Sequence, residues 1–435
     1  MKILESEHLK KLFLTMYGGR VKDVEEYISR YRTLVGRYRE SFGEGEVQLF
    51  STPGRTEIAG NHTDHNGGMV LAASVHLDSI AAVRTTDTEI IRIFSEGYAA
   101  PFEVHLGTLE AQDSERETTT ALIRGIAGRM RELGYRAGGF NAYICSNVGV
   151  GSGLSSSASI EVLVATIMNC LYNNGEIPML ELAKIGRYAE NNYFMKPCGL
   201  MDQIACGFGG IVAIDFADSE KPVVRGVDVD LSDYGYSILV VRTGSDHADL
   251  TEDYANITED MRSAAAVFGK ELCRELTIES VMDHVSQLRH EAGDRSLLRA
   301  YHFLMENERV RTQVEALEKG DVEQFLALVQ CSGNSSAQWL QNSFSTRYPR
   351  CQPVTVSLAL TDYFLHRVKS GAYRIHGGGF AGTIQVFLPA HCCDEYIDFM
   401  ESRIGPETVT VLHIRPYGSV HINGFLSNEV KSSTQ

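Results

Sequence analysis

The chain has 435 residues, 43 % of them hydrophobic and 22 % charged, and a formal net charge of −16. That length suits two packed domains better than one core. The acidic balance argues against nucleic acid or an anionic membrane surface as the main partner, so an anionic ligand must be held by local backbone donors and a metal ion. Nine cysteines without a Cys-x-x-Cys pair read as the reduced thiols of a cytoplasmic protein. Met1–Lys11 mixes charges with short apolar pairs, unlike a signal peptide, and no apolar stretch is long enough to span a bilayer.

In chain order, Leu9, Leu12, Phe13 and Met16 share one helical face. After Gly18-Gly19 the pattern resumes at Val21, Val24, Tyr27, Ile28, Tyr31 and Leu34, so residues 1–44 are expected as two helices. Val47–Phe50 reads as a short strand. Ser51–Gly68 then carries Arg55, Glu57, His62, Asp64 and His65 among small residues, between strands expected at Met69–Val75, Ser79–Arg84 and Ile90–Phe94. Polar groups this dense point to a site, although His62, Asp64 and His65 are each common turn or cap residues. Zinc is disfavoured, because no Cys or second His pair lies nearby at ligand spacing. Arg55, following Pro53-Gly54 near carboxylates, has the chemistry of a charge-setting group.

Asn141–Asn147 alternates as a strand and runs into Gly149–Ser159, Gly-Val-Gly-Ser-Gly-Leu-Ser-Ser-Ser-Ala-Ser. The apolar run from Ile160 to Leu171 follows as a helix. Strand, glycine loop and helix N-terminus together make a phosphate cradle, because glycine allows close approach and the helix end presents free N–H groups. The same residues also suit a flexible connection with Ser as the N-cap. The loop is neither a Walker A sequence, having no Lys after its last glycine, nor G-x-G-x-x-G. Leu180–Phe194 is expected as a helix with Glu190 near its end. Asp202 follows in the Pro/Gly-framed segment Lys196–Ile204, either as an N-cap or as a general base in a partly dry setting. Strands are expected at Ile211–Phe216 and Ser237–Arg242, and a helix at Asp253–Phe268 opening with Tyr254. Glu279–Leu340 is helical in period, with Trp339 read as packing. Ser370–Leu388 gives two strands around a second glycine loop, Thr408–Ile414 a last strand, and Ser427–Gln435 a polar tail expected to be disordered.

Three glycine-bearing segments, in this order, resemble the GHMP small-molecule kinases and, within them, the galactose kinases. They are Pro53–Asp64 (Pro-Gly-Arg-Thr-Glu-Ile-Ala-Gly-Asn-His-Thr-Asp), Gly151–Ala158 (Gly-Ser-Gly-Leu-Ser-Ser-Ser-Ala) and Gly377–Gly382 (Gly-Gly-Gly-Phe-Ala-Gly). Pro197–Gln203 is similar to the segment that carries the catalytic Asp in that family. The likeness runs from Val47 to the last strand.

The resemblance implies an α+β fold of two domains, here 1–220 and 221–435. The first would be like ribosomal protein S5 domain 2, with a left-handed βαβ unit and a five-stranded mixed sheet. The second would be ferredoxin-like with extra helices, and the active site would lie in the cleft between them. The implied reaction is ATP-dependent phosphorylation of galactose at its C1 hydroxyl by a monomer, with no nucleic acid or membrane as partner. Asp202 matches the base and Arg55 its charge-stabilising neighbour. Asn61, His62, Thr63, Asp64 and Tyr254 match the sugar-binding positions, and Gly151, Ser152, Gly153, Leu154, Ser155, Ser156 and Ser157 would wrap the phosphates, with Ser95 an outer nucleotide contact. Ser157 and Glu190 match the Mg²⁺ ligands. Four positions depart from the family pattern: Asn61 stands for Glu, Glu57 for Asn, His65 for Tyr and Gly149 for Pro. The Glu position is the one implied to bind the C6 hydroxyl. A kinase for a uronic acid, arabinose or an N-acetylhexosamine, or a silent sugar-and-ATP sensor, therefore stands beside the first reading.

Overall fold

The computed structural model describes residues 4, 6–18, 24–149, 151–244 and 250–426. Most of Met1–Glu5, Gly19, Val21, Val150 of the glycine loop and the tail Ser427–Gln435 lie outside the described residues. Helix α1 (Glu7–Tyr17) buries Leu9, Leu12, Phe13 and Met16, and α2 (Val24–Phe42) buries Ile28, Tyr31, Leu34, Val35 and Tyr38. Both pack on one face of an eight-stranded mixed sheet.

That sheet contains β1 (Gln48–Ala59), β2 (Met69–Thr85), β3 (Ile90–Ser95), β4 (Phe102–His105), β5 (Phe140–Ser146), β6 (Ile211–Asp215), β7 (Val223–Val227) and β12 (Val420–His421). Its main order is β12-β1-β2-β5-β3-β4, with β6 on β2 and β7 on β6. Among the described residues only the β3–β5 pair is parallel. Side chains alternate across the pleat: Ile80 and Ala82 face α1 and α2, whereas Ala81 and Val83 face α3 (Thr119–Glu132), α4 (Ser156–Tyr172) and α5 (Met179–Ala189).

Three expectations change here. The short strand at Val47–Phe50 is the start of the 12-residue β1, which continues through Pro53 with a register shift between Pro53 and Arg55. A bulge accommodates a residue that has no N–H to give to the ladder. The strands expected at Met69–Val75 and Ser79–Arg84 are one 17-residue strand, β2. The polar break at His76–Asp78 does not end it, because the Asp78 carboxylate is matched inside the protein: Tyr17 Oη donates at 2.7 Å, Arg415 Nη1 at 3.0 Å, and Arg30 also donates. Five strands become eight because β2 is long enough to pair twice, with β6 over residues 69–73 and with β5 over residues 79–85, while β12 adds to β1 after the strand expected to be last.

The second sheet is antiparallel, in the order β11-β8-β10-β9, from β8 (Tyr236–Arg242), β9 (Ala372–His376), β10 (Thr383–Pro389) and β11 (Val409–Leu412). With helices between β8 and β9 and between β10 and β11, this is the ferredoxin-like order. One face carries α12 (Pro353–Val368) and α13 (Cys393–Ile404). The other buries Ile238, Val240 and Phe387 in a core shared with Ile58, Leu71 and Val75 of the first sheet and with α10 (Asp294–Glu318) and α11 (Val322–Ser335). Helices α7 (Thr251–Ala266), α8 (Ile278–Asp283) and α9 (Val285–Glu291) pack with α10, and α6 (Met201–Phe208) packs on β1 and β2. Among the described residues no helix is long and apolar enough to cross a membrane.

Candidate active site

Arg55 projects from β1 with 6 % of its surface exposed. Its Nε and Nη2 donate to Asp202 Oδ1 and Oδ2 at 2.7 and 2.8 Å, and Nη1 donates to the Gly153 carbonyl. The Arg55 backbone N–H donates to the Leu154 carbonyl at 3.0 Å. One residue thus ties the first motif to the glycine loop and to α6. Asp202 is the second residue of α6, not its N-cap. Burial by itself raises its carboxyl, but the Arg55 charge, the Arg55 hydrogen bonds and the Ser155 hydroxyl together hold it below the usual carboxylate range.

The glycine loop resolves its two readings through Ser155. This residue caps α4 by position, yet its hydroxyl makes no cap bond and donates to Asp202 Oδ2. It does so from the left-handed region, at φ 57°. Side chains rarely adopt that region, and such strain collects at functional sites. Gly153, at φ 76°, lies so close to β9 and β10 that an added Cβ would stand 2.4 Å from Thr383 Oγ1 and 2.8 Å from His376 Nδ1. Gly151 faces open space, and Ser152 folds its hydroxyl onto the Gly149 carbonyl. Leu154 is buried, Ser156 opens α4, and Ser157 Oγ donates to Glu190 Oε1 at 3.2 Å. Glu190 is 3 % exposed, at the start of a wide helical turn continuing α5. Ser95 ends β3 in register with Ile144 of β5, the strand that runs into the loop. No bond from its side chain to the loop is seen among the described residues.

The polar turn after β1 divides. His62, at φ 59°, places Nε2 2.8 Å from the Gly378 carbonyl, and its ring lies 6.3 Å from that of Tyr254. Burial drives its pKa down to about 3, so the imidazole is neutral. Tyr254, on α7, donates to the Gly379 carbonyl at 3.0 Å. Asp64 is half-buried beside Gly199, where an added Cβ would fall 2.0 Å from Asp64 Oδ2. The sugar-motif turn and the segment leading to Asp202 are therefore in contact.

Asn61 and Thr63 turn the other way, and both have no exposed surface. Thr63 Oγ1 donates to the Gly60 and Met69 carbonyls at 2.9 and 2.6 Å. Asn61 Nδ2 donates to Glu57 Oε1 at 3.0 Å and to the Gly377 carbonyl at 2.6 Å, while its Oδ1 accepts from Asn342 Nδ2 at 2.8 Å. Glu57, in turn, accepts from Arg374 Nη2 at 2.7 Å. Two of the four departures from the family pattern are thus in contact with each other, inside the protein.

The residues beneath the site were hidden from sequence reasoning. Glu161, Gln203, Arg374, His376 and Thr383 are all buried. Glu161 leaves one signal, a carboxylate inside the apolar run from Ile160 to Leu171.

Among the described residues no group of three or more His, Cys, Asp and Glu side chains is placed to hold a metal. Ser157 and Glu190 offer two oxygens. That set fits a hard cation that keeps its waters and shares phosphate oxygens, and does not fit an all-protein cage.

A strand–loop–helix cradle joined to an arginine-clamped carboxylate has the parts that phosphoryl transfer requires, a phosphate-binding backbone and a fixed acceptor for a hydroxyl. The model for the GHMP kinases N terminal domain matches residues 121–210, and that for the galactokinase galactose-binding signature matches residues 36–85. A galactokinase of Streptomyces coelicolor is 33 % identical over 362 residues, covering 82 % of this chain and 89 % of that one. A galactokinase of Enterococcus faecalis is 31 % identical over 367 residues, covering 84 % and 92 %. The chain belongs to the GHMP kinase family, enzymes that transfer a phosphoryl group to a small molecule. Within it, its sequence is closely related to the galactokinases. The crystal structure of Lactococcus lactis galactokinase complexed with galactose shares the fold at a TM-score of 0.78 and 23 % identity, over 90 % of this chain and 100 % of that one. A crystal structure of mevalonate kinase shares it at a TM-score of 0.60 and 14 % identity, over 84 % and 99 %.

Proposed function

We propose that this chain phosphorylates galactose at the C1 hydroxyl, using ATP with Mg²⁺. The observation that carries the proposal is the junction at Asp202, where the first motif supplies Arg55 and the glycine loop supplies Ser155. An acceptor hydroxyl at Asp202 lies next to the loop in which backbone N–H groups would cradle phosphates.

In this reading Asp202 accepts a hydrogen bond from the sugar hydroxyl and orients it. A carboxylate held low is a weak base, so Asp202 receives the proton only as the new P–O bond forms, which suits the loose transition state of phosphoryl transfer. Arg55 fixes the carboxylate and adds positive charge where negative charge collects. His62, Asp64 and Tyr254 hold other sugar hydroxyls. Ser157 and Glu190 would hold Mg²⁺, which when bound neutralises phosphate charge. Asn61 and Thr63 act by shaping the turn. The division into 1–220 and 221–435 belongs to this proposal, with β7 and β12 returning from beyond residue 220 to complete the first sheet.

The test is ADP release measured over galactose, galacturonate, arabinose and N-acetylgalactosamine. Galactose is expected to give the highest kcat/KM. A higher value for another sugar overturns the substrate, and no sugar-dependent ADP release overturns the kinase reading in favour of a sensor.

A further inference from the structure

Behind Glu190 lies a polar cluster that the proposed reaction leaves without a role. Glu161 on α4 and Gln203 on α6 have no exposed surface. Gln203 Nε2 donates to Glu161 Oε2 at 2.9 Å and to Glu190 Oε2 at 3.1 Å, with Cys198 Sγ at 3.8 Å. The other oxygens of the first pair, Glu161 Oε1 and Gln203 Oε1, are buried and have no hydrogen-bond partner among the described residues. Helix α5 closes the space around them: a Cβ added at Gly186 would stand 3.3 Å from Glu161 Oε2 and 3.4 Å from Gln203 Cγ.

Unpartnered buried polar atoms are destabilising, and native proteins contain few of them. Two acceptors left over on the same acid–amide contact are both satisfied by a single proton. Carried on Glu161 Oε1 and donated to Gln203 Oε1, it closes a ring of two hydrogen bonds running in opposite directions. Complete enclosure away from water favours that protonated form.

We propose that Glu161 and Gln203 are positioning residues for Glu190. As a neutral acid–amide pair they lock the Gln203 amide, whose second N–H holds Glu190 Oε2. Glu190 Oε1, on the Ser157 side, is thereby left to the cation. The inference rests on the proposed reading of Glu190 as a metal ligand. Partners of this kind orient a ligand without touching the metal, and losing one commonly weakens metal binding.

The experiment titrates Mn²⁺ into the full chain saturated with a non-hydrolysable ATP analogue and reads the dissociation constant by calorimetry. Parent, Glu190→Gln, Glu161→Leu, Gln203→Leu and Glu161→Gln are compared, with thermal midpoints confirming folding. Glu161→Leu and Gln203→Leu are expected to weaken Mn²⁺ roughly tenfold or more. Glu161→Gln should bind close to the parent value, because a glutamine donates one hydrogen bond and accepts another as the neutral acid does. The parent should also show the infrared carbonyl stretch of a protonated carboxylic acid at neutral pH, and Glu161→Gln should lack it. Parent-like affinity in Gln203→Leu overturns the positioning role. An affinity in Glu161→Gln as weak as in Glu190→Gln overturns the neutral pair, since charge is then what matters. Parent-like affinity in Glu190→Gln removes the metal reading itself, and this inference with it. If Glu161→Leu does not fold, the remaining variants and the infrared band still decide.

Discussion

Arg55 and Asp202 meet fork to carboxylate, at 2.7 and 2.8 Å, across 147 residues of sequence. In the proposed reaction the pair sets both the orientation and the charge of the group offered to the sugar. Asp202→Asn should lower kcat by about 10²-fold, the usual scale for a lost acid–base group, while sugar affinity changes much less. Arg55→Gln removes the charge that holds Asp202 down. The acid limb of the kcat/KM profile should then move to higher pH, because protonation of Asp202 starts earlier as pH falls. An unmoved limb in Arg55→Gln, or near-parent turnover in Asp202→Asn, would remove the pair from the reaction.

Asn61→Glu would place a second carboxylate against the buried Glu57, whose oxygen lies 3.0 Å from the amide of the fully enclosed Asn61. Arg374 neutralises one of the two charges. The single variant should lose about 3–5 kcal/mol, the scale of an uncompensated buried charge. Glu57→Asn combined with Asn61→Glu keeps one carboxylate near Arg374 and should be more stable than Asn61→Glu alone. Urea unfolding of the four proteins gives the coupling directly, and additive effects would show that the two positions do not share one network.

Gly153→Ala meets two obstacles, a left-handed φ of 76° and a Cβ position 2.4 Å from Thr383 Oγ1. The loop must move away from β9 and β10, taking the Gly153 carbonyl from Arg55. Strain alone costs about 1–3 kcal/mol. The apparent KM for ATP should rise while folded secondary structure, followed by circular dichroism, stays near the parent. A parent-like KM would mean that the loop does not depend on this contact.

Asp78→Asn tests the anchor of α1 and α2. Asp78 and Arg415 have no exposed side-chain surface, and Arg30 closes the third side. Removing the carboxylate charge leaves two arginines facing each other, a loss of about 3–5 kcal/mol. Thermal unfolding should report that loss. A midpoint within a degree or two of the parent would show that the cluster relaxes into solvent.

Acid should unfold the protein earlier than its carboxylates alone would predict. Desolvation lowers six histidines below their ordinary pKa, from the enclosed His302 and His376 through the half-buried His62, His76 and His421 to the more exposed His413. Below about pH 6.5 the unfolded chain takes up protons that the folded chain refuses, so stability rises with pH through this window and is lost as pH falls. Each such proton is worth about 1.4 kcal/mol per pH unit. Glu57 and Glu161, raised by burial, act in the opposite sense, but they are two against six. The urea midpoint should fall between pH 7 and pH 5.5. A flat or rising midpoint would show that these histidines are hydrated.

By itself, the sequence determined the elements whose periodicity is local. The apolar faces of α1 and α2, the strand before the glycine loop, the helix after it and the two strands around the second glycine loop lie where spacing places them. It also brought Arg55, Asp202, Ser155 and Glu190 forward by their motifs. It did not determine that β2 is unbroken, because the groups that match Asp78 come from Arg30 and Arg415, far away in the chain. Nor did it determine which side of a turn each residue faces. His62 and Asn61 are neighbours in sequence, yet one lies beside Tyr254 and the other is enclosed by Glu57, Asn342 and Gly377. A polar residue in a glycine-rich turn carries no period to report its direction. Only the packing of β9, α10 and the second glycine loop against that turn decides which polar groups meet the ligand and which are satisfied inside the protein.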